Sequence, residues 1–86
     1  MSWKIRLAAQ AGKDRKKTTA ELNPVVDRLL DIIKEDPFRT PPPYKKLKGP
    51  MAGAYSRRIN RQHRLVYEVI NEKKTVRVLR MWGHYE

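Results

Sequence analysis

Two arginines, Arg58 and Arg64, flank a predicted turn at 60–62, and apolar residues alternate on both sides of that turn. If the apolar residues face a core, alternation directs both arginines to the opposite face as direct or diagonal cross-strand neighbours. Two such charges repel unless an anion lies between them, and a guanidinium donates two parallel hydrogen bonds to phosphate. The pair predicts a phosphate-binding site, and the alternative is a surface ladder between Arg64 and Glu68. Arg57 points the other way, and we interpret it as structural or partner-binding.

The chain ends in a second candidate group, His84 followed by Tyr85. Histidine can transfer a proton near neutral pH, and a tyrosine can stack on a base or bond a phosphate. A histidine close to a chain end is also commonly inert, so the residues alone leave both interpretations of His84 open. His63 stands at the start of a predicted strand beside a turn, and we interpret it as structural.

Other kinds of site are disfavoured by composition. The chain has no cysteine and two histidines, which we place on different strands, so no common metal-ligand spacing is present. No glycine-rich phosphate loop or nucleophile elbow occurs. We therefore expect neither a metal nor a cofactor. No apolar run is long enough to span a bilayer, and the first ten residues do not resemble a signal peptide, so we expect a cytoplasmic protein.

The charge of the 86-residue chain is +11, and it is unevenly distributed. Residues 1–43 carry nine basic and six acidic side chains, whereas residues 44–86 carry eleven basic and three acidic ones. A small domain this basic is typical of proteins that bind a polyanion. The second half is the predicted anion-binding half.

The first half of the chain predicts one strand and two helices. Apolar and basic side chains alternate over 3–7, which indicates a strand with one buried face. Residues 8–17 predict a marginal helix, because its apolar side consists of two alanines. From Asn23, its predicted cap, apolar residues recur at spacings of three and four, which indicates an amphipathic helix. That helix is expected to end at Asp36-Pro37.

The second half predicts a rigid loop and a sheet. Three consecutive prolines, Pro41 to Pro43, and three lysines over 40–50 indicate an irregular surface loop that presents positive charge. Three segments with period two then predict an antiparallel meander: 54–60, 63–70 and 75–82. We expect a single α+β domain over 1–86, with one N-terminal strand and two helices packed on an antiparallel sheet.

Several motifs resemble the YoeB/Txe family of toxins within the RelE-like superfamily. They are Ser56-Arg57-Arg58-Ile59, His63-Arg64-Leu65-Val66-Tyr67, Arg80-Met81-Trp82-Gly83-His84-Tyr85, the loop 43–49 and the helix end 33–38. The resemblance implies a RelE-like fold and a ribosome-dependent mRNA endonuclease that inhibits translation. It implies attack of a 2′-hydroxyl on its own 3′ phosphate in the ribosomal A site, giving 2′,3′-cyclic phosphate and 5′-hydroxyl ends.

By position in these motifs, the resemblance makes His84 the general acid and Arg64 the group that stabilises the charged phosphorane. Arg58 and Tyr85 would orient the RNA. A lysine, Lys45, stands where the family has a glutamate base, and we expect it to stabilise charge instead. Further contacts to RNA are expected from Lys46, Lys48, Arg61 and Arg80.

The lysine at position 45 leaves alternatives open, because a protonated lysine cannot accept a proton at neutral pH. One alternative is a non-catalytic or attenuated basic protein that binds RNA or the ribosome and blocks translation. Another is a small ribosomal or DNA-binding protein without an ordered His–Arg site. Loss of a general base typically costs a factor of about 10² to 10⁴.

The expected partners follow from the charge and the resemblance. The ribosome, through its RNA, and the mRNA would bind the basic half. A cognate antitoxin of the YefM/Axe kind is expected to cover that surface with an acidic tail that folds on binding. No membrane partner is expected, and the oligomeric state of the free chain is open.

Overall fold

A computed structural model describes residues 2–83, which form five strands and two α-helices. Two single turns of 3₁₀-helix, Gly49–Met51 and Asn71–Lys73, connect strands in the second half. The longer elements are β1 (Lys4–Leu7), α1 (Ala9–Lys17), α2 (Asn23–Glu35), β2 (Lys45–Lys46), β3 (Ala54–Arg58), β4 (Arg64–Ile70) and β5 (Thr75–Arg80).

The strands form one sheet in the order β1-β5-β4-β3-β2. Strands β3, β4 and β5 are the predicted antiparallel meander, and β1 adds to β5 in parallel. The α+β fold is confirmed, with a sheet that is mixed rather than purely antiparallel. The loop predicted over 40–50 was wrong in one respect, because Lys45–Lys46 pairs with β3 as a short edge strand. Two residues are too few to give a periodic signal.

Helix α2 supplies the helical side of the core. Its spacing buries Val26, Leu29 and Ile33 against apolar side chains of β4 and β5, which include Leu65, Tyr67, Val76 and Val78. β-Branched and aromatic residues suit these strands because they fill a pleated surface. Within residues 2–83, neither helix has the length and apolar character needed to cross a membrane.

Two details of the predicted first half differ from the structure. Helix α2 already begins at Asn23, so Leu22 is its cap residue, and Asn23 is not the cap. The preceding turn supplies the acceptor, because Thr19 O accepts the Asn23 N–H at 2.9 Å. In β1, Ile5 is half-buried but Leu7 is 45% exposed, so the predicted buried face is incomplete. β1 is an edge strand, so only one of its sides is covered by a neighbouring strand.

Helix α1 is connected to the end of β5 by a buried carboxylate. Asp14 Oδ2 accepts hydrogen bonds from Arg80 Nε at 2.8 Å and from the Met81 N–H at 3.0 Å. Gln10 Nε2 donates to Asp14 Oδ1 at 3.0 Å. Burial alone would raise the pKa of Asp14, but these donors outweigh it and hold that pKa below its ordinary value.

Candidate functional site

A groove of about 600 Å³ opens beside strands β2, β3 and β4. Its lining contains three cationic side chains, together with polar and apolar residues of the proline-rich loop and of β3. Those residues are Pro42, Pro43, Tyr44, Lys45, Ser56, Arg58, Ile59 and Arg64. The structure therefore brings together three of the residues predicted for the site, namely Lys45, Arg58 and Arg64.

Arg58 and Arg64 lie directly opposite each other in the antiparallel pair of β3 and β4. This register confirms that the two arginines are cross-strand neighbours. Their exposure differs, since Arg58 is exposed and Arg64 is only 7% exposed. Arg64 is thus held at the floor of the groove, whereas Arg58 can follow a ligand at its rim.

Glu68 shares the Arg64 face of β4, as expected from alternation, and it forms an ion pair with Arg77 at 3.7 Å. Arg77 belongs to β5, and Arg58 belongs to β3 on the other side of β4. The acid is therefore engaged toward β5, whereas the groove lies on the β3 and β2 side of β4. Among the described residues that line the groove, none carries a carboxylate.

The two lysines of β2 point to opposite faces of the sheet. Lys45 is opposite Ser56, a residue that lines the groove, and Lys46 is opposite Tyr55, which packs against the core. Neighbouring residues of a strand point to opposite faces, so Lys45 belongs to the groove and Lys46 to the other side of the edge strand. The expected contact of Lys46 with RNA stays a prediction.

Arg57 is 1% exposed and holds the proline-rich loop in place. Its Nη1 donates to Pro42 O at 2.6 Å and its Nη2 to Pro37 O at 3.0 Å. Its Nε donates to the hydroxyl of Tyr67 at 3.1 Å. The structural interpretation of Arg57 is confirmed, and its consequence is functional: the anchored loop leads directly to Tyr44 and Lys45.

An aromatic cluster lies beneath the same loop. The Tyr44 ring is 5.7 Å from Phe38 and 5.6 Å from Tyr55, in tilted and edge-on arrangements. The guanidinium of Arg57 lies 5.3 Å from the centre of the Tyr44 ring. Burial raises the pKa of Tyr67, although the hydrogen bond from Arg57 acts in the opposite direction. The hydroxyl that accepts this hydrogen bond therefore stays neutral at physiological pH. Sequence reasoning missed Tyr44 as a groove residue, since its only signal was an aromatic beside three prolines.

His63 has several partners around the chain end. Its ring stacks on Trp82 with centroids 3.5 Å apart, and its Nδ1 accepts the Gly83 N–H at 3.0 Å. The structural interpretation of His63 is confirmed. The predicted catalytic residues His84 and Tyr85 lie outside the described residues.

The remaining predicted contacts to RNA are dispersed. Lys48 and Arg61 are exposed in loops on either side of β3. Arg80 is instead half-buried and donates to Asp14, a contact between residues 66 apart that no local pattern could reveal. Its expected contact with RNA stays a prediction, and its observed contact is structural.

The described part of the site suits a phosphodiester. Guanidinium and ammonium groups on one groove can bind a phosphate and stabilise added negative charge. The groove is open rather than enclosed by the protein, so a polymer can enter it sideways.

Comparison with known proteins gives consistent results. A family model described as a YoeB-like toxin of bacterial type II toxin–antitoxin system matches residues 11–85. Toxin YoeB of Streptomyces coelicolor is 36% identical over 66 residues, which is 77% of this chain and 73% of that protein.

Two solved structures have the same fold. A YoeB/ParE toxin from Agrobacterium tumefaciens has a TM-score of 0.85 at 30% identity, covering 95% of this chain and 99% of that one. A chain of the YoeB-YefM complex from Staphylococcus aureus has a TM-score of 0.81 at 29% identity, covering 99% and 100%.

Proposed function

Since this chain belongs to the YoeB family of toxins from bacterial type II toxin–antitoxin systems, we propose that it is a ribosome-dependent mRNA endonuclease. It would inhibit translation by cutting mRNA in the ribosomal A site. The observation that carries the proposal is the direct pairing of Arg58 with Arg64 in a groove that also receives Lys45. An open cationic groove without a described carboxylate suits an RNA phosphate better than a small-molecule substrate.

The proposed reaction needs no metal. The 2′-hydroxyl oxygen of a nucleotide attacks its 3′ phosphorus, the new 2′-O–P bond forms, and the P–O5′ bond breaks. The hydroxyl proton passes to water, and His84 donates a proton to the departing 5′ oxygen. The products are a 2′,3′-cyclic phosphate and a 5′-hydroxyl end.

The arginines act on the charge that develops at phosphorus. Arg64, held at the groove floor, stabilises the phosphorane, because a preorganised donor loses little on reaching the transition state. The exposed Arg58 orients the phosphate, and Tyr85 orients the neighbouring base. Lys45 adds positive charge from β2 in the place of a general base.

The same groove is the proposed binding surface of an antitoxin in the cytoplasm. A chain similar to this one forms a YoeB-YefM complex in Staphylococcus aureus. An acidic segment that orders on the groove would neutralise its cations and exclude RNA. Adding a cognate antitoxin at saturation is expected to abolish cleavage, and unchanged cleavage with bound antitoxin would contradict a shared surface.

The central test is cleavage on programmed ribosomes with both ends of the product mapped. Wild type is expected to give 5′-hydroxyl ends within the A-site codon, and His84→Ala and Arg64→Ala are each expected to lose about 10² to 10⁴ in rate. Lys13→Ala, an exposed change on α1, is the matched control. Equal rates for all four proteins would remove the site assignment.

A second candidate, a basic protein that blocks the ribosome without cutting, is favoured by Lys45 in place of an acid. It predicts arrested translation with intact mRNA in the same assay. Lys45→Ala and Lys45→Glu separate the two roles of this position. If Lys45 stabilises charge, both changes lower the rate and glutamate lowers it more. A faster Lys45→Glu enzyme would show that a missing base limits the reaction.

A further inference from the structure

Both backbone groups of Gly83 form hydrogen bonds with residues at the start of β4. The Gly83 N–H donates to His63 Nδ1 at 3.0 Å, and Gly83 O accepts the Arg64 N–H at 3.0 Å. The indole of Trp82 stacks on the His63 ring, with planes 15° apart. His63, the residue before β4, and Arg64, its first residue, therefore hold Trp82 and Gly83 in place.

The backbone at His63 is itself fixed. Asn60 Oδ1 accepts the His63 N–H at 2.7 Å and the Gln62 N–H at 2.9 Å, and His63 O accepts the Ile59 N–H at 2.9 Å. A backbone N–H can only donate, so Nδ1 of His63 must be the unprotonated ring nitrogen. The turn thus fixes the backbone position from which His63 offers a hydrogen-bond acceptor and an aromatic face to Gly83 and Trp82.

The backbone conformation at position 83 favours glycine. Gly83 has φ of 131°, a conformation that side chains with a Cβ rarely adopt. His84 is the next residue of the chain. The peptide carbonyl that joins Gly83 to His84 is the one that accepts the N–H of Arg64.

We propose that His63, Trp82 and Gly83 form a clasp that holds the residue before the proton donor His84 against the backbone of Arg64, so that His63 is a positioning residue of the reaction. This inference rests on the proposed function. A general acid misplaced by about 1 Å can lose about 10² in rate. The clasp fixes Gly83 to the backbone of Arg64, the residue that would stabilise the phosphorane.

The stack and the hydrogen bond can be separated by substitution. His63→Phe keeps an aromatic ring against Trp82 but has no acceptor for the Gly83 N–H. His63→Asn loses the ring but places an amide oxygen two bonds from Cβ, in the position of Nδ1. Gln62→Ala changes an exposed side chain in the same turn and is the matched control.

Two measurements test the clasp. Hydrogen exchange of the Gly83 amide, followed by NMR on the free folded chain, is expected to accelerate at least tenfold in His63→Phe and to stay protected in His63→Asn. On programmed ribosomes, His63→Phe is expected to lower kcat about 10- to 100-fold with KM within about twofold. His63→Asn is expected to restore most of kcat, and Gln62→Ala to match wild type in both measurements.

The outcomes separate this inference from the proposed function. Unaccelerated exchange at Gly83 in His63→Phe would overturn the clasp, and so would accelerated exchange with an unchanged kcat. A wild-type chain that does not cut mRNA overturns the nuclease proposal and with it the positioning role, while the exchange measurement still reports whether the clasp exists.

Discussion

Arg57 and Arg58 are adjacent in the chain and have opposite environments. Arg57 is buried, and its three nitrogens donate to two backbone carbonyls and a tyrosine hydroxyl. Arg58 is exposed at the rim of the groove, opposite a second arginine. The pleat of β3 alone separates these roles, since it turns neighbouring side chains to opposite faces.

The contrast predicts that substituting Arg57 lowers stability, whereas substituting Arg58 lowers activity with little effect on stability. Arg57→Ala removes the donor to Pro42 O and to the Tyr67 hydroxyl and one of the two donors to Pro37 O, so the free energy of unfolding is expected to fall by about 2–4 kcal/mol. Arg58→Ala should change it by less than about 0.5 kcal/mol, since the residue is exposed, while lowering cleavage. Urea denaturation measures the first effect. A stability loss at Arg58 as large as that at Arg57 would contradict the assignment.

Asp14 predicts a specific dependence of stability on pH. Its pKa is lowered in the folded state, so its contribution is fully present above the unfolded pKa of about 3.9 and is lost as pH falls through the folded pKa. Asp14→Asn is expected to cost about 1–3 kcal/mol at pH 7, because Arg80 loses its charged partner. Denaturation at a series of pH values should show the difference from wild type shrinking below about pH 4. A difference that is independent of pH down to pH 2 would contradict it.

At the scale of elements, α2 is the main helical support of the sheet. Three of its residues, Val26, Leu29 and Ile33, are buried in the core, and Val25 on the same helix is 36% exposed. The sheet face that α2 covers is the one opposite Arg64. Damage to this helix should therefore reach the groove mainly through loss of folding.

This arrangement predicts different costs for two small changes in one helix. Ile33→Ala is expected to lower the free energy of unfolding by about 2–5 kcal/mol, because it leaves a cavity in the core. Val25→Ala is expected to change it by no more than about 0.5 kcal/mol. Thermal or urea denaturation measures both. At a temperature where Ile33→Ala remains folded, its cleavage rate should equal that of wild type, and a lower rate would indicate that α2 also shapes the site.

At the scale of the whole molecule, the charge of +11 sets the class of partner and the strength of its salt dependence. Cations in the groove replace counterions of the RNA phosphates. For a single strand, each such contact makes the negative slope of log K against log salt steeper by about 0.7. The residues that line the groove supply three of these cations.

The charge distribution predicts which lysines contribute to that slope. Lys45→Ala is expected to reduce it by about 0.7 for a single-stranded RNA, and Lys34→Ala, an exposed change at the end of α2, to leave it unchanged. Fluorescence anisotropy titrations measure both slopes. They should span about 50 to 200 mM salt, where the affinity for RNA changes strongly. Equal reductions in the two variants would mean that RNA is attracted by net charge alone.

Local periodicity by itself determined α2, the meander of β3 to β5 and the place of Arg58 and Arg64 as direct or diagonal cross-strand neighbours. These features follow from side chains a few residues apart, whose spacing matches the repeat of a helix or a strand. The tertiary structure alone decided the parallel place of β1 beside β5, the short strand β2 and the contact of Asp14 with Arg80. It also decided that His63 holds Gly83, twenty residues later. Such contacts join segments that are distant in the chain, and their energy comes from burial and hydrogen bonds that have no periodic trace in the sequence.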